Sequence, residues 1–420
     1  MGQAFEKDLQ FYKFSLYGFL KNLRFFEPFL ILFFAEKGIL YLQIGTLYAI
    51  REISTNILEI PTGIIADSLG RRRTMVYSFI SYIISFFIFY FSRQYILLII
   101  AMVFFSFGEA FRTGTHKAMI FEYLNIRGWK DQKVYYYGNT RSWAQIGSAI
   151  SSLIAAFIVF YSGSYQYIFI YTTIPYVLDL LLMISYPREL DGEIKRLEGE
   201  KIKQNFARII KEFAYSFKDI HLIRAIANIS VYDGFFKAVK DYIQPILRSF
   251  ALSLPILLFL GNEQRTSIVV GIVYFGIYLL TSLASRRSGN IAERFRNLFL
   301  PLNITMVAGF SMGALTGVSF NLKISVISII LYICIYLAQN LRKPMEVSYV
   351  AEMMKQDVLA TGLSVQSQAS SLAAAVVALL IGFFADQYGI GSSLIIVSLM
   401  LLLTTPFYLA KEDKNILDSV

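Results

Sequence analysis

One cysteine, Cys334, stands in the whole chain, so no internal disulfide can form. The two histidines, His116 and His221, come with no metal-ligand spacing around them. There is no Gly-x-x-x-x-Gly-Lys-Ser/Thr loop, which excludes direct drive by ATP. No motif of an enzyme is present either, and no cofactor is expected. Charge is scarce: Asp, Glu, Lys and Arg make up 16% of residues, against about 25% in soluble proteins. The weak alternation in segments of about 10 residues that marks a membrane β-barrel is missing.

What is there is apolar surface. Of 420 residues, 56% are hydrophobic and 16% aromatic, and the mean hydropathy is +0.55. Residues 74–92, 266–285, 298–321 and 390–410 carry no charge at all. Runs of about 18 or more such residues span a bilayer. In hydrocarbon their backbone groups must be satisfied within the segment, which requires helices. The expectation is an all-α membrane protein of about twelve transmembrane helices. They lie near 10–36, 40–66, 73–92, 95–122, 134–161, 166–186, 219–248, 266–285, 298–317, 323–352, 358–385 and 390–410. The charged stretch at 187–218 divides an N-terminal six-helix half (1–186) from a C-terminal one (219–420) and reads as a cytoplasmic helical linker.

Arg71, Arg72, Arg73, Arg127, Lys130, Lys133, Arg286, Arg287, Arg294 and Arg296 fall in loops on the linker's side. The opposite loops hold little beyond Lys37, Arg93, Arg265 and Lys323. The positive-inside bias places both termini in the cytoplasm, the membrane being the plasma membrane. The net charge of +10 follows from this bias, and no nucleic-acid partner is expected. "MGQAFEKDLQ" carries no cleavable signal pattern.

The two halves repeat. "GFLKNLR" from Gly18 matches "GFFKAVK" from Gly234, placing Lys21 on Lys237 and Arg24 on Lys240. "AFRTGTHKAMIFEYL" from Ala110 aligns with "NLRKPMEVSYVAEMM" from Asn340, placing Arg112 on Arg342 and Glu122 on Glu352. Polar stripes at helical spacing mark the fifth and eleventh helices: Gly138, Arg141, Gln145, Ser148 and Ser152, then Thr361, Ser364, Gln368 and Ser371. Two pseudo-twofold-related six-helix bundles follow, the arrangement that puts a solute site near mid-membrane.

A charge at that depth costs about 3 kcal/mol or more unless it faces a cavity or a partner. The expected cavity residues are Lys21, Arg24, Glu27, Arg112, Arg141, Gln145, Lys237, Lys240, Gln244 and Arg342. The competing expectation is local pairing along one helix: Arg24 with Glu27, Lys237 with Asp233 or Asp241, Arg342 with Glu346. Candidates for proton coupling are Glu27, Glu52, Glu59, Glu109, His116, Asp233 and Glu346. Asp179, alone in an apolar run, reads equally as a packing residue.

Between the second and third helices stands "EIPTGIIADSLGRRRTM", with Gly63, Asp67, Gly70, Arg71, Arg72 and Arg73 in a Gly-x-x-x-Asp-x-x-Gly-Arg-Arg-Arg pattern. Gly63 would let a neighbouring helix approach closely, Gly70 suits a tight turn, and Asp67 suits a helix N-terminus. The stretch resembles the signature loop of the major facilitator superfamily. The resemblance implies a secondary transporter of small organic solutes working by alternating access, in which Gly63, Asp67, Gly70 and Arg71 form a conformational latch. A monomer in membrane lipid, coupled to protons, is expected. The loop favours efflux of an amphipathic compound. The paired basic residues of the first helices resemble organic-anion and organophosphate exchangers. A lipid mover or non-transporting sensor of the same fold is a third reading. The fifth helix, "AQIGSAISSLIAAF", lacks the Gly-Pro motif of drug-exporting proton antiporters, and the equivalent loop "SLASRRSGNIAERF" lacks the aspartate.

Overall fold

The computed structural model describes residues 6–129, 132–192, 220–256, 258–292, 295, 297–353 and 356–410. Within helices, the side chains of 60, 64, 67, 134, 220, 221, 289–292, 351–353 and 356–361 are outside the description. Most of the expected linker, Lys130, Arg294, Arg296 and the side chains of Asp67, His221, Glu352 and Thr361 therefore lie outside the described residues.

All regular structure among the described residues is helical. The helices are α1 (Leu9–Lys21), α2 (Leu30–Glu36), α3 (Tyr41–Leu69), α4 (Arg71–Phe91), α5 (Tyr95–Arg112), α6 (Thr115–Ile126), α7 (Lys133–Ser162) and α8 (Tyr167–Ile184). After the linker come α9 (Ile220–Val239), α10 (Ile243–Ser253), α11 (Asn262–Ala292), α12 (Phe299–Asn321), α13 (Ser325–Met353) and α14 (Gln356–Tyr408). Gly389, at φ 81°, breaks α14 into two helices. Eight described segments are long and apolar enough to cross a membrane. α1, at 13 residues, is too short for that measure, and α3 and α9 are not among the eight; α3 carries Arg51, Glu52 and Glu59, and α9 carries Arg224, Asp233 and Lys237.

The breaks have local causes. Asp8 caps α1, its carboxylate accepting from Phe11 N at 2.9 Å. Pro28 lies in a 3-10 turn, Glu27–Phe29, which separates α1 from α2. A second 3-10 turn, Lys240–Tyr242, separates α9 from α10. The first helix of each sequence half is thus broken just after its repeated Gly-Phe-x-Lys motif.

Two compact units form. The first holds Met1–Lys37, Ser54–Lys203 and Pro255–Tyr278; the second holds Gly38–Ile53, Gln204–Leu254 and Leu279–Val420. Each therefore includes a short segment from the other sequence half.

In the first unit α1 packs on α7, and α4 packs on α5 and α8. A methyl group on Gly18 would sit 3.1 Å from Thr140 O, so α1 and α7 cross nearly backbone to backbone there. Aromatic rings fill the opposite side of α1's break, with Phe169 stacked on Phe26 at 5.8 Å and on Phe89 at 4.8 Å. In the second unit α9 and α12 pack on α14. Gly234 abuts Ala373 and Ala374 of α14, repeating the contact of Gly18 with α7. The repeated glycine thus has one job in both units: it lets the first helix of a half touch the fifth.

Candidate functional site

The first unit holds a half-open cavity of about 400 Å³ between α1, α6 and α7. The crossing at Gly18 fixes its back, and α1 ends there, so Lys21 projects from the last helical turn. Arg112 arrives at the end of α5, and Gly114, at φ 78°, turns the chain so that α6 restarts with His116 and Lys117 facing the same space. From α7 come Tyr137, Arg141 and Gln145, one turn apart; Arg141 and Gln145 belong to the polar stripe, Tyr137 does not, and Gly138, Ser148 and Ser152 are not among the lining residues described. Among the described residues, the charged side chains lining the cavity are Lys21, Arg112, Lys117 and Arg141, with no Asp or Glu.

Behind this wall lies an ion cluster. Arg24 Nη2 donates to Glu109 Oε1 at 2.5 Å, and Arg112 donates to the other Glu109 oxygen. Arg112 Nε also donates to Tyr82 Oη at 3.2 Å. Glu109 thus holds two guanidinium groups, and Arg24 pairs across the unit rather than with Glu27 along its own helix. Glu27 accepts from Tyr278 Oη at 3.4 Å. His116 is buried, stacked on Tyr17 with ring centroids 3.6 Å apart, and its Nε2 lies 3.3 Å from Tyr186 Oη.

The second unit collects the remaining predicted residues in separate places. Lys237 donates to Glu52 Oε2 at 2.9 Å, and Glu52 also accepts from Arg51 at 3.1 Å. Among the described ion pairs Lys237 takes Glu52, not Asp233 or Asp241. Lys240 lies 4.0 Å from Asp241, which accepts from Tyr48 Oη at 3.0 Å. Gln244 is fully buried on α10. Asp233 accepts from Gln339 at 2.7 Å, Lys343 at 2.6 Å and Ser370 at 3.3 Å.

Arg342 is expected on a cavity wall but is enclosed instead, with 0% of it exposed. Its Nε donates to Glu346 at 2.7 Å, its Nη2 to Asn228 Oδ1 at 2.5 Å and its Nη1 to Thr305 Oγ1 at 3.2 Å and to Leu302 O. It also lies over the Tyr232 ring. Its bonds join α9, α12 and α13, and they leave it nothing to offer a solute.

The signature loop is anchored inside the first unit. Gly70 starts α4 at φ 91° and ψ 143°, a conformation that needs glycine. Asp191, in the 3-10 turn Arg188–Asp191, accepts from Arg72 N at 2.7 Å, and Arg72 Nη1 donates to Tyr186 O at 3.2 Å. Arg71 pairs with Glu122 at 3.4 Å. Gly63 carries no close helix approach among the described residues: a methyl group there would meet none of them within 4 Å. Glu59 lies on α3 and in the first unit, and Asp67 lies on the same helix with its side chain outside the description.

Sequence reasoning missed Lys117, Lys343 and Asp191. The first two align with Val347 and Thr113 in the repeat and so carry no symmetric signal. Asp191 belongs to a charged stretch that reads only as linker.

A family model for the Major Facilitator Superfamily matches residues 22–239. An uncharacterized MFS-type transporter of Bacillus subtilis (strain 168), YxaM, is 23% identical over 405 residues, covering 95% of this chain and 94% of the relative. The crystal structure of the nucleoside transporter NupG superposes with a TM-score of 0.77 at 13% identity, covering 96% of this chain and 100% of that one. A POT family transporter in complex with 5-aminolevulinic acid superposes with a TM-score of 0.66 at 14% identity, covering 94% and 93%. The chain is a multi-pass membrane transporter and belongs to the major facilitator superfamily.

Proposed function

We propose that this transporter carries a small organic anion, bearing a carboxylate or a phosphate, by way of the basic cavity of the first unit. The observation that carries the reading is the wall itself: four cationic side chains, Lys21, Arg112, Lys117 and Arg141, and no Asp or Glu among the described residues. Guanidinium forks match carboxylate and phosphate oxygens, and hydrogen bonds between charged groups contribute about 1.5–3 kcal/mol each. A volume near 400 Å³ suits a small solute. The ring of Tyr137 supplies an apolar body beside the charges. A cationic amphipath would meet like charge at Lys21, Lys117 and Arg141, while the Glu109 carboxylate behind the wall is already taken by Arg24 and Arg112. The organic-anion reading is therefore preferred to amphipathic efflux. The working unit is a single chain in the plasma membrane with both termini cytoplasmic, coupled to protons, and the signature loop acts as its latch.

Reconstituted vesicles with an imposed pH gradient test this. Uptake of labelled glycerol 3-phosphate or succinate, reduced in Lys21→Gln and Arg141→Gln, is the expected result. Transport of a cationic dye with no anion transported, unaffected by either change, overturns it.

A further inference from the structure

Cations that lie over aromatic rings in this protein mostly hold a second partner as well. Arg51, over Tyr48, also donates to Glu52, and Arg127, over Tyr123, also reaches Asp8. Arg342, over Tyr232, binds Glu346, and Lys37, over Phe33, donates to Ser92 O. Lys117 and Lys133 differ. Lys117 Nζ lies 5.4 Å from the centre of the Phe121 ring and 5.6 Å from that of Tyr137, and Lys133 Nζ lies 5.3 Å from the Phe121 centre. Neither lysine makes a hydrogen bond or an ion pair among the described residues. Glu122, beside Phe121 in sequence, is taken by Arg71 at 3.4 Å. Phe121 and Tyr137 meet edge to face with ring centres 6.1 Å apart, so the two ammonium groups share one aromatic support. Helical register joins that support to the cavity. Lys133 is the first residue of α7, and Lys133, Tyr137 and Arg141 stand four residues apart on one side of it. Tyr137, Arg141 and Lys117 line the cavity; Lys133 lies before it, two turns from Arg141 or about 12 Å along the helix axis.

We propose that Lys117 and Lys133, held on the Phe121 ring, form an outer loading site for the carboxylate or phosphate group of the transported anion, from which it passes to Arg141 and Lys21. The inference rests on the anion reading above. A carboxylate neutralises the cation it holds, whereas an aromatic face holds an ammonium through the ring quadrupole and leaves its charge uncancelled. The ring therefore fixes two cations in place and keeps both available to a ligand. An oxyanion drawn from water meets Lys133 first. Lys117 belongs both to the outer site and to the cavity wall, so it hands the anion inward. The weak hold of the ring lets each ammonium follow the anion and then return. Such a site sets the rate of capture rather than the final affinity. At an ionic strength of about 0.01 M the Debye length, about 30 Å, exceeds the distance from Lys133 to Arg141; at about 1 M it is only about 3 Å. The contribution is therefore present in low salt and lost in high salt.

The test is initial uptake of labelled glycerol 3-phosphate and succinate by the full-length protein in reconstituted vesicles, below and above KM, at low and high concentrations of a bulky, weakly binding salt. Lys133→Gln should lower kcat/KM by about threefold to tenfold in low salt and by less than about twofold in high salt, with kcat retained. Lys133→Arg should restore the rate. Phe121→Leu leaves every charge in place and should still lose part of the capture, while Phe121→Tyr should not. Lys7→Gln removes the same charge from an exposed position outside the site and should change nothing. Unchanged kcat/KM in Lys133→Gln at low salt, with the anion still bound in equilibrium dialysis, overturns the loading site and leaves the anion reading standing. An equal loss in Lys7→Gln overturns it as well, since the effect is then one of net charge. So does a loss in Lys133→Gln that persists undiminished in high salt. A wild type that neither binds nor carries either anion overturns the anion reading and the loading site together.

Discussion

Arg342→Met offers a direct measure of how the second unit is held. The substitution keeps most of the side-chain volume and removes the guanidinium, which binds Glu346, Asn228, Thr305 and Leu302 O at zero exposure. Breaking a buried ion pair from one side costs about 3–5 kcal/mol, mostly because the surviving charge is stranded. Here Glu346 retains Lys343 at 3.1 Å, so the charge is only partly stranded and the expected loss is about 3 kcal/mol. Glu346→Met strands Arg342, which has no second carboxylate among the described ion pairs, and should cost somewhat more. The double variant removes both charges into an apolar shell that includes Ala225, Ile229, Leu302 and Met345. Buried pairs replaced whole by apolar groups are often neutral. The double variant should therefore be more stable than the sum of the single losses by about 1–3 kcal/mol. Reversible unfolding in mixed micelles, run as a double-mutant cycle, reads this coupling. Strictly additive losses would refute the pairing and return Arg342 to the list of solute-facing cations.

Four further outcomes are expected. Lys21→Gln and Arg141→Gln should each weaken binding of an anionic ligand by about 1–3 kcal/mol in equilibrium dialysis, because each removes a charged donor from the wall; unchanged affinity in both would place the anion elsewhere. Gly70→Ala should lower thermal stability by about 1–3 kcal/mol, since its backbone lies at φ 91° and its new methyl group would fall 2.9 Å from the Asp191 carboxylate. Gly234→Ala should destabilise more than Gly18→Ala, because the added methyl meets α14 at 2.6 Å but α7 at 3.1 Å; equal effects in a melting assay would contradict the packing argument. Asp67→Asn should insert and fold normally yet lose most transport in vesicles, and near-wild-type flux would remove the latch role.

The parts of this molecule legible in the sequence are those governed by cost. Charge is expensive in hydrocarbon, so Lys21, Arg112 and Arg141 announce a polar space before any fold is known. The i, i+4 spacing of Arg342 and Glu346 likewise gives their bond away. Pairing across helices is another matter. Arg24 meets Glu109, 85 positions on, because the end of α5 comes alongside the break after α1. No spacing along one helix can reveal that. The Gly18–Gly234 repeat is visible as a pattern, but its reason lies in Thr140, Ala373 and Ala374, which are unremarkable residues on other helices. Gly63 fits the signature pattern, yet a methyl group there would meet nothing within 4 Å among the described residues, so the pattern alone does not tell a packing glycine from one placed for another reason.

On the anion reading, a wall whose described Lys and Arg side chains face no described Asp or Glu behaves like the bed of an anion exchanger. Chloride in an ordinary purification buffer competes for Lys21 and Arg141, and its screening shortens the reach of their field to about 8 Å near physiological salt. On that same reading, phosphate, sulfate and citrate in the buffer compete as ligands rather than bystanders. Any affinity measured for this cavity is then an affinity against the resident counter-ion. The informative series is one ligand titrated at several concentrations of a single bulky, weakly binding salt.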